Sequence, residues 1–281
     1  RIFDQIVTAL NSKMGNYAVS EDPVMIGLLD IFGFEDMPVN GFEQLFINLT
    51  NEWIQHLFNK IMFQQEMKMY REEDIDITFE TPDNWACVDL FVSEKPAGII
   101  KLLQDRVMVA NSKDGKDLVE HILNRSLKDH PNYVPGDPAL VRNVQRMKQQ
   151  KWKKTKIDLR YEECFQVKHY AGPVLYTVHE FLNKSKDGLA EHLSEALVKS
   201  SAKAVQGIFD SEYSKAGRDS NGREARTIGQ MFRQQLKGLM ETLEKSSTMF
   251  VRCIKPNAPM KPSVFDEALV LEQLICGGVI S

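Results

Sequence analysis

From Phe42 to Ile61 the apolar positions Phe42, Leu45, Phe46, Leu49, Trp53, Leu57, Phe58 and Ile61 recur at helical spacing. No Gly or Pro interrupts the pattern before Tyr70, so it predicts one helix over 42–70. At 1.5 Å per residue that rod is about 40 Å long. Just before it, Asn40 and Glu43 in "NGFE" have the spacing of a capping box, with Asn40 as N-cap. Upstream, Arg1 to Leu10 places Ile2, Phe3, Ile6, Val7 and Leu10 on one helical face. Val24 to Leu29 is a continuous apolar run, a candidate buried strand with Asp30 at its tip. Glu94 to Glu120 predicts two helices around "VMVANSKDG". "FQVKHYAGPVLYTV" alternates, is rich in Val and Tyr, and predicts strands and a hairpin. "GREARTIGQMFRQQLKGLMETL" carries a second long helical stripe: Ile228, Met231, Phe232, Leu236, Leu239, Met240 and Leu243. "TMFVRCIKPN" is another buried-strand candidate, ended by Pro256. There is no internal repeat.

Composition narrows the partners. The chain has 281 residues, 43% of them hydrophobic, enough for one large domain or two ordinary ones. A net charge of −4 disfavours nucleic acid and anionic membranes as bulk partners, so any cationic surface must be local. "KQQKWKKTK", Lys148 to Lys156, has five lysines and no acid. Trp152 among them lacks a second aromatic for a base-stacking platform. Cys87, Cys164, Cys253 and Cys276 form no CxxC pair, which predicts free thiols in a reducing cytosol. No apolar run reaches the roughly 18–20 residues of a membrane span. The chain opens inside a helical pattern without a methionine and ends at "CGGVIS", so it reads as a fragment of something longer.

In open α/β sheets ligands sit beyond the carboxyl ends of strands, and "LLDIFGFE" places Asp30 and Gly33 there as D-x-x-G. This spacing suits nucleoside triphosphate chemistry. The aspartate can hold Mg²⁺ directly or through water, and the glycine lets its backbone N–H approach the terminal phosphate. Loss of that phosphate removes the hydrogen bond, giving the loop two states. A plain strand followed by a turn also fits the four residues. A Ras-like GTPase fails for want of N-K-x-D; "SKDGKD" is not one.

"LLDIFGFE", "FEQLFINLTNE", "HYAG", "FLNKSKD", "FVRCIKPN" and "LEQLICGGVI" occur here in the order seen in myosin motor heads. The chain resembles such a head from just before switch II to the first reactive-thiol helix, over nearly its whole length. "EQLFINLTNE" departs from the "EQFCINYANE" of muscle and conventional myosins and leans towards an unconventional class. The resemblance implies an α/β, P-loop NTPase-type fold: a mostly helical lower 50 kDa region with strands of the central sheet. It divides the chain into 1–41 (a leading helix, strand and switch II), 42–70 (relay helix) and 71–210 (lower actin-binding region). Loop 2 follows at 211–226, and 227–281 holds a long helix, a central-sheet strand and the start of the thiol helices.

For the site, the resemblance implies catalytic roles for Asp30, Gly33 and Glu35. Asp30 would support the Mg²⁺ shell and, with Gly33, bind ATP; Glu35 would pair with a switch I arginine and position the attacking water. Phe32 and Phe34 would wedge the loop, and Phe34, Phe42 and Phe58 belong to the transmission path. Cys276 aligns with the first reactive thiol. Gly277 and Gly278 suit a helix that bends during a stroke, or equally a helix C-cap. His169 reads as a satisfied core histidine. Filamentous actin is the implied partner, through Pro96, Ala97, Leu102, Met108, Val109, Leu239 and Lys255. Bulkier residues are usual at Ala97 and Val109, and a proline at Ala110, which shrinks the apolar patch. Lys148, Lys151, Lys153, Lys154 and Lys156 would steer the acidic filament, in a segment, Asn132 to Tyr161, longer than usual. From Ser211 to Arg226 there are four basic and three acidic residues, so steering by loop 2 is weak. Much of Leu236 to Ala258 has a buried pattern.

No G-x-x-x-x-G-K-[ST] run or switch I occurs in these residues. The expectation is therefore part of an actin-activated, ATP-hydrolysing cytoplasmic and cytoskeletal motor, with light chains or calmodulin on an absent lever arm. The isolated chain is not expected to hydrolyse ATP. The alternative is a non-catalytic actin-binding module from a degenerate or truncated head; the intact D-x-x-G and Glu35 argue against degeneracy.

Overall fold

The structure is a computed structural model that describes residues 2–14, 26–76, 82–108, 115–186, 191–202 and 227–279. The chain divides into two units, Arg1–Ile31 with Asp187–Arg226, and Phe32–Lys186 with Thr227–Ser281. The division falls inside the D-x-x-G motif.

In the first unit, helix Ile2–Met14 forms as the periodicity predicts, with Phe3, Ile6, Val7 and Leu10 exposed. A second helix spans Glu191–Val198. Residues 26–31 form no strand, and Leu28 is 98% exposed. This corrects the buried-strand expectation. An extended apolar run becomes a strand only when a neighbour pairs its N–H and C=O groups, and no described segment does so here.

The second unit mixes helices with a three-stranded antiparallel sheet, as the α/β expectation requires. The strands β1 (Tyr133–Pro135), β2 (Cys164–His169) and β3 (Gly172–Thr177) follow in sequence order. The predicted hairpin pairs Val167 with Val174 and His169 with Gly172. The long helix runs Phe42–Glu72, and only its first half is thoroughly buried. Leu45, Leu49 and Leu57 enter a core with Phe91 of helix Trp85–Val92, Ile100 and Leu103 of helix Ile99–Val107, and Phe165 and Tyr176 of the sheet. Helix Ile228–Glu244 adds Leu236 and Met240. Thr227 caps it: its Oγ1 accepts from Gln230 N–H at 3.3 Å, and Gln230 Oε1 accepts from Thr227 N–H at 3.4 Å. Two helices do surround the predicted loop, the second passing through a π-helical turn, Leu118–Leu123.

Two local expectations are corrected. The N-cap of the long helix is Gly41, whose N–H donates to Gln44 Oε1 at 3.1 Å; Asn40 is needed elsewhere. Residues 249–255 form no strand, with Met249 88% and Val251 84% exposed, for the same want of a partner. Only Phe250 turns inward, its ring 5.0 Å from that of Phe58. Beyond the predicted elements, residues 138–151, whose last four positions open the lysine-rich stretch Lys148 to Lys156, form a capped helix. Asp137 Oδ1 accepts from the N–H groups of Ala139 and Leu140 at 2.8 and 2.9 Å, and Pro138 stands in the first turn. Its inner residues Val141 and Val144 form a small separate core with Cys164 and Leu175. Among the described residues no helix is long and apolar enough to cross a membrane.

Candidate functional site

Residues 32–41 connect the D-x-x-G turn to the long helix, and hydrogen bonds hold this connector at Phe32, Glu35, Asp36, Met37, Asn40 and Gly41. Glu35 N–H donates to Asn48 Oδ1 at 2.8 Å, and Asn48 Nδ2 donates back to Glu35 O at 2.7 Å. Gln44 Nε2 reaches the Glu35 carboxylate at 3.2 Å. Asn51 Nδ2 donates to Phe32 O at 3.0 Å. These three side chains stand on the first turns of the long helix, so the connector is fastened to the rod as well as joined to it. Phe34 is half-buried and sets its ring edge against His169 and Tyr170, at 5.2 and 5.6 Å.

Asn40 secures the second part. Its Oδ1 accepts from Met37 N–H at 2.8 Å, and its Nδ2 donates to Asp36 Oδ1 at 2.9 Å and Leu175 O at 3.0 Å. Asn40 O accepts from Thr177 N–H at 2.9 Å, which extends the edge of β3.

Behind the connector lies a buried polar chain. Asn48 Nδ2 donates to Tyr176 Oη, Tyr176 Oη meets His169 Nε2, and His169 Nδ1 meets Glu52 Oε2, each at 2.8 Å. One donor order satisfies every atom: amide to phenol oxygen, phenol O–H to Nε2, and Nδ1–H to the carboxylate. Asn84 Nδ2 at 2.7 Å and Tyr170 N–H at 3.3 Å complete the shell of Glu52. Burial pushes the Tyr176 phenol well above its ordinary range. Glu52, Cys87 and His169 form the one potential metal-ligand group among the described residues. Its donors already serve one another, and burial, then the charge of Glu52, holds the Cys87 thiol protonated. His169 is thus the satisfied core histidine expected.

The remaining site residues are scattered. Asp30 and Gly33 are exposed, and a Cβ on Gly33 would meet nothing within 4 Å. Phe42 is buried, its ring 4.7 Å from that of Phe46. Phe58 is half-buried beneath the Arg252 guanidinium. Pro96 is exposed, Ala97 and Met108 are half-buried, and Leu102 lies inside the core. Leu239 packs on that core. Lys151, Lys153, Lys154, Lys156 and Lys255 are exposed. Lys148 is not: only 5% exposed, it binds Asp36 Oδ1 at 2.7 Å and Met37 O. Val109 and the 211–226 segment lie outside the described residues.

Cys276 ends helix Glu267–Cys276, and its carbonyl accepts from Tyr170 Oη–H at 2.8 Å. Gly277 and Gly278 form the helix C-cap, the blander of the two readings. Gly278 N–H donates to Ile275 O and Val279 N–H to Leu274 O, both at 2.9 Å, with Gly278 at φ +64°. A Cβ on Gly278 would lie 2.5–2.7 Å from the Gln55 amide of the long helix.

Residues 1–281 match the family model described as the myosin head (motor domain). The chain is 36% identical over 281 residues to "Myosin-16" of Arabidopsis thaliana, covering 100% of this chain and 20% of that protein. It is 35% identical over 284 residues to "Myosin-7" of the same plant, covering 100% and 14%. To "Unconventional myosin-XV" of Homo sapiens it is 33% identical over 290 residues, covering 99% and 7%. The chain thus spans a fifth or less of the length of these relatives.

Proposed function

The chain belongs to the myosin head (motor domain) family, and from that premise we propose that it supplies the phosphate-sensing turn, relay helix and part of the actin-facing surface of an actin-activated, ATP-hydrolysing motor. The observation that carries this reading is the two-way bond between Glu35 and Asn48. Backbone donor and backbone acceptor of one connector residue are held by one helix side chain, so a displacement of the turn must move the helix or break both bonds.

Within that motor the D-x-x-G turn faces ATP and Mg²⁺. The exposed Asp30 carboxylate suits a hard cation, and the open space beside Gly33 suits the approach of a phosphoryl group. Asp30 would hold Mg²⁺, which supplies neutralisation of phosphate charge when bound. Gln44 orients the Glu35 carboxylate through its amide, and Asn51 fixes the carbonyl beside Gly33. The exposed apolar runs 26–31 and 249–255 would pair with strands supplied by the rest of the head. For actin, the exposed Lys151, Lys153, Lys154, Lys156 and Lys255 are retained as steering charges, and Pro96, Ala97 and Met108 as apolar contacts. Leu102, Leu239 and Lys148 are assigned internal roles instead, because each is turned into the protein. Light chains or calmodulin would bind elsewhere on the longer protein, in the cytoplasmic cytoskeleton.

The test is Gly33→Ala in the full-length parent. ATP binding should persist while hydrolysis falls at least tenfold. Undiminished turnover and phosphate release would overturn the role of the turn. The isolated 281-residue chain is expected to show no actin-stimulated ATPase.

A further inference from the structure

From Pro138 to Lys156 the chain carries seven basic residues and no acidic one. Six of the seven are exposed. Lys148 alone is drawn inward, at the position that continues Val141 and Val144 along the buried face of helix Pro138–Lys151. Lysine is among the residues least often buried, because its ammonium must leave water. Here the ammonium is held on the connector by two acceptors, the Asp36 carboxylate at 2.7 Å and the Met37 carbonyl. Asp36 is in turn held by Asn40. One helical turn on, Lys151 Nζ meets Glu272 of helix Glu267–Cys276 at 2.6 Å. The helix therefore touches both the connector and the segment that carries Cys276.

We propose that Lys148 is a positioning residue, a lock between helix Pro138–Lys151 and the Asp36–Met37 connector that restrains movement of the phosphate-sensing turn. The inference rests on the function proposed above. The physical argument is local. Glu35 is bonded to the long helix and travels with it, whereas Asp36 and Met37 are bonded to a different helix seated on the sheet by its own small core. The connector cannot follow the rod without parting from Lys148. Asp36 is 40% exposed at its side chain and is rehydrated once released, whereas Lys148, 6% exposed, gives up both of its acceptors, and that cost is what holds the lock closed.

The experiment uses the full-length head, with Lys148→Met, Asp36→Asn and the double variant. Each single variant should raise phosphate release without actin at least threefold. ATP affinity and the hydrolysis burst should stay within twofold. The double variant should release no faster than Lys148→Met alone, since that variant already removes the pair with Asp36 along with the bond to Met37 O. Amide exchange across residues 36–41 should quicken in step. Unaltered release in both singles, or increments that multiply in the double variant, would overturn the lock. If Lys148→Met does not fold, Asp36→Asn decides alone. If the wild-type head hydrolyses no ATP, the proposed function falls while amide exchange still tests the lock: unaltered exchange in the variants ends it.

Discussion

The two halves of the long helix share one backbone and little else. Leu49 and Glu52 in the first half are fully buried, while Met62 and Met69 in the second are 39% and 52% exposed. The first half is gripped by apolar neighbours and by the polar chain through Tyr176 and His169. The second half borders an open groove of about 630 Å³ lined by Asn59, Phe63, Met67, Arg71 and Pro82. Under the proposed function, the held entry would take up a shift of the connector and the open far end would carry it outward.

The sharpest way to break this contrast is to remove an equivalent charge from each half. Glu52→Ala strands His169, Tyr170 N–H and the Asn84 amide in the core, and should cost about 3–5 kcal/mol. Glu72 pairs with Lys68 at 3.7 Å in solvent, so Glu72→Ala should cost under about 0.5 kcal/mol. Urea unfolding of the chain, followed by fluorescence and circular dichroism together, measures both; equal losses would erase the distinction. A smaller effect is expected at the border of the halves. Gly278→Ala puts a side chain at positive φ against Gln55 and should cost about 1–3 kcal/mol. Accelerated amide exchange at Gly278 and Val279 would place that loss at the C-cap.

Much of the anchored half is legible in the sequence, because it is local. The period of Phe42 to Ile61 gives the helix, and the Val- and Tyr-rich alternation gives the β2–β3 hairpin. The failures share one physical cause. Residues 26–31 and 249–255 have strand composition, yet a strand exists only through a partner, and periodicity carries no information about partners. Asn40 has the capping-box spacing, but Met37, Asp36 and Leu175 claim its side chain, and the cap moves to Gly41. Helix Pro138–Lys151 had a readable signal in "GDPAL", an Asp N-cap followed by Pro in the first turn. The lysine-rich composition that follows indicates a surface, and only tertiary contact reveals Lys148 as internal. Asn48, Tyr176 and Glu52 were equally invisible, being polar residues whose worth depends on meeting one another.

Thiol chemistry sharpens the contrast residue by residue. Cys87 and Cys164 are buried, and burial pushes the Cys164 thiol up to about 12. Cys276 is half-buried, its thiol raised by burial and then by Glu272. Cys253 is exposed. Alkylation at pH 8, read by mass spectrometry, should modify Cys253 first and Cys276 more slowly, with Cys87 and Cys164 reacting only on unfolding. Cys276 reacting ahead of Cys253 would mean that helix Glu267–Cys276 opens readily and that its C-cap is no anchor.

A small effect is expected in the first turn of the anchored half, where Lys184 Nζ meets the Glu43 carboxylate at 2.7 Å. The hydrogen bond to Lys184 holds the Glu43 carboxyl below its ordinary value of 4.5. A carboxyl lowered on folding contributes stability above its unfolded value, and that contribution disappears as pH falls through the folded value. Lys184→Ala should therefore cost less than about 1 kcal/mol at pH 7, a typical figure for solvent-exposed pairs. The gap between wild type and variant should close as pH falls below 4.5. It should also narrow in about 1 M salt, where the screening length is about 3 Å. Urea midpoints measured across that pH range give the answer. A gap that survives both acid and salt would mean that the aliphatic stem of Lys184, rather than its charge, fastens the start of the long helix, and that the anchored half is held by packing alone at its N-terminus.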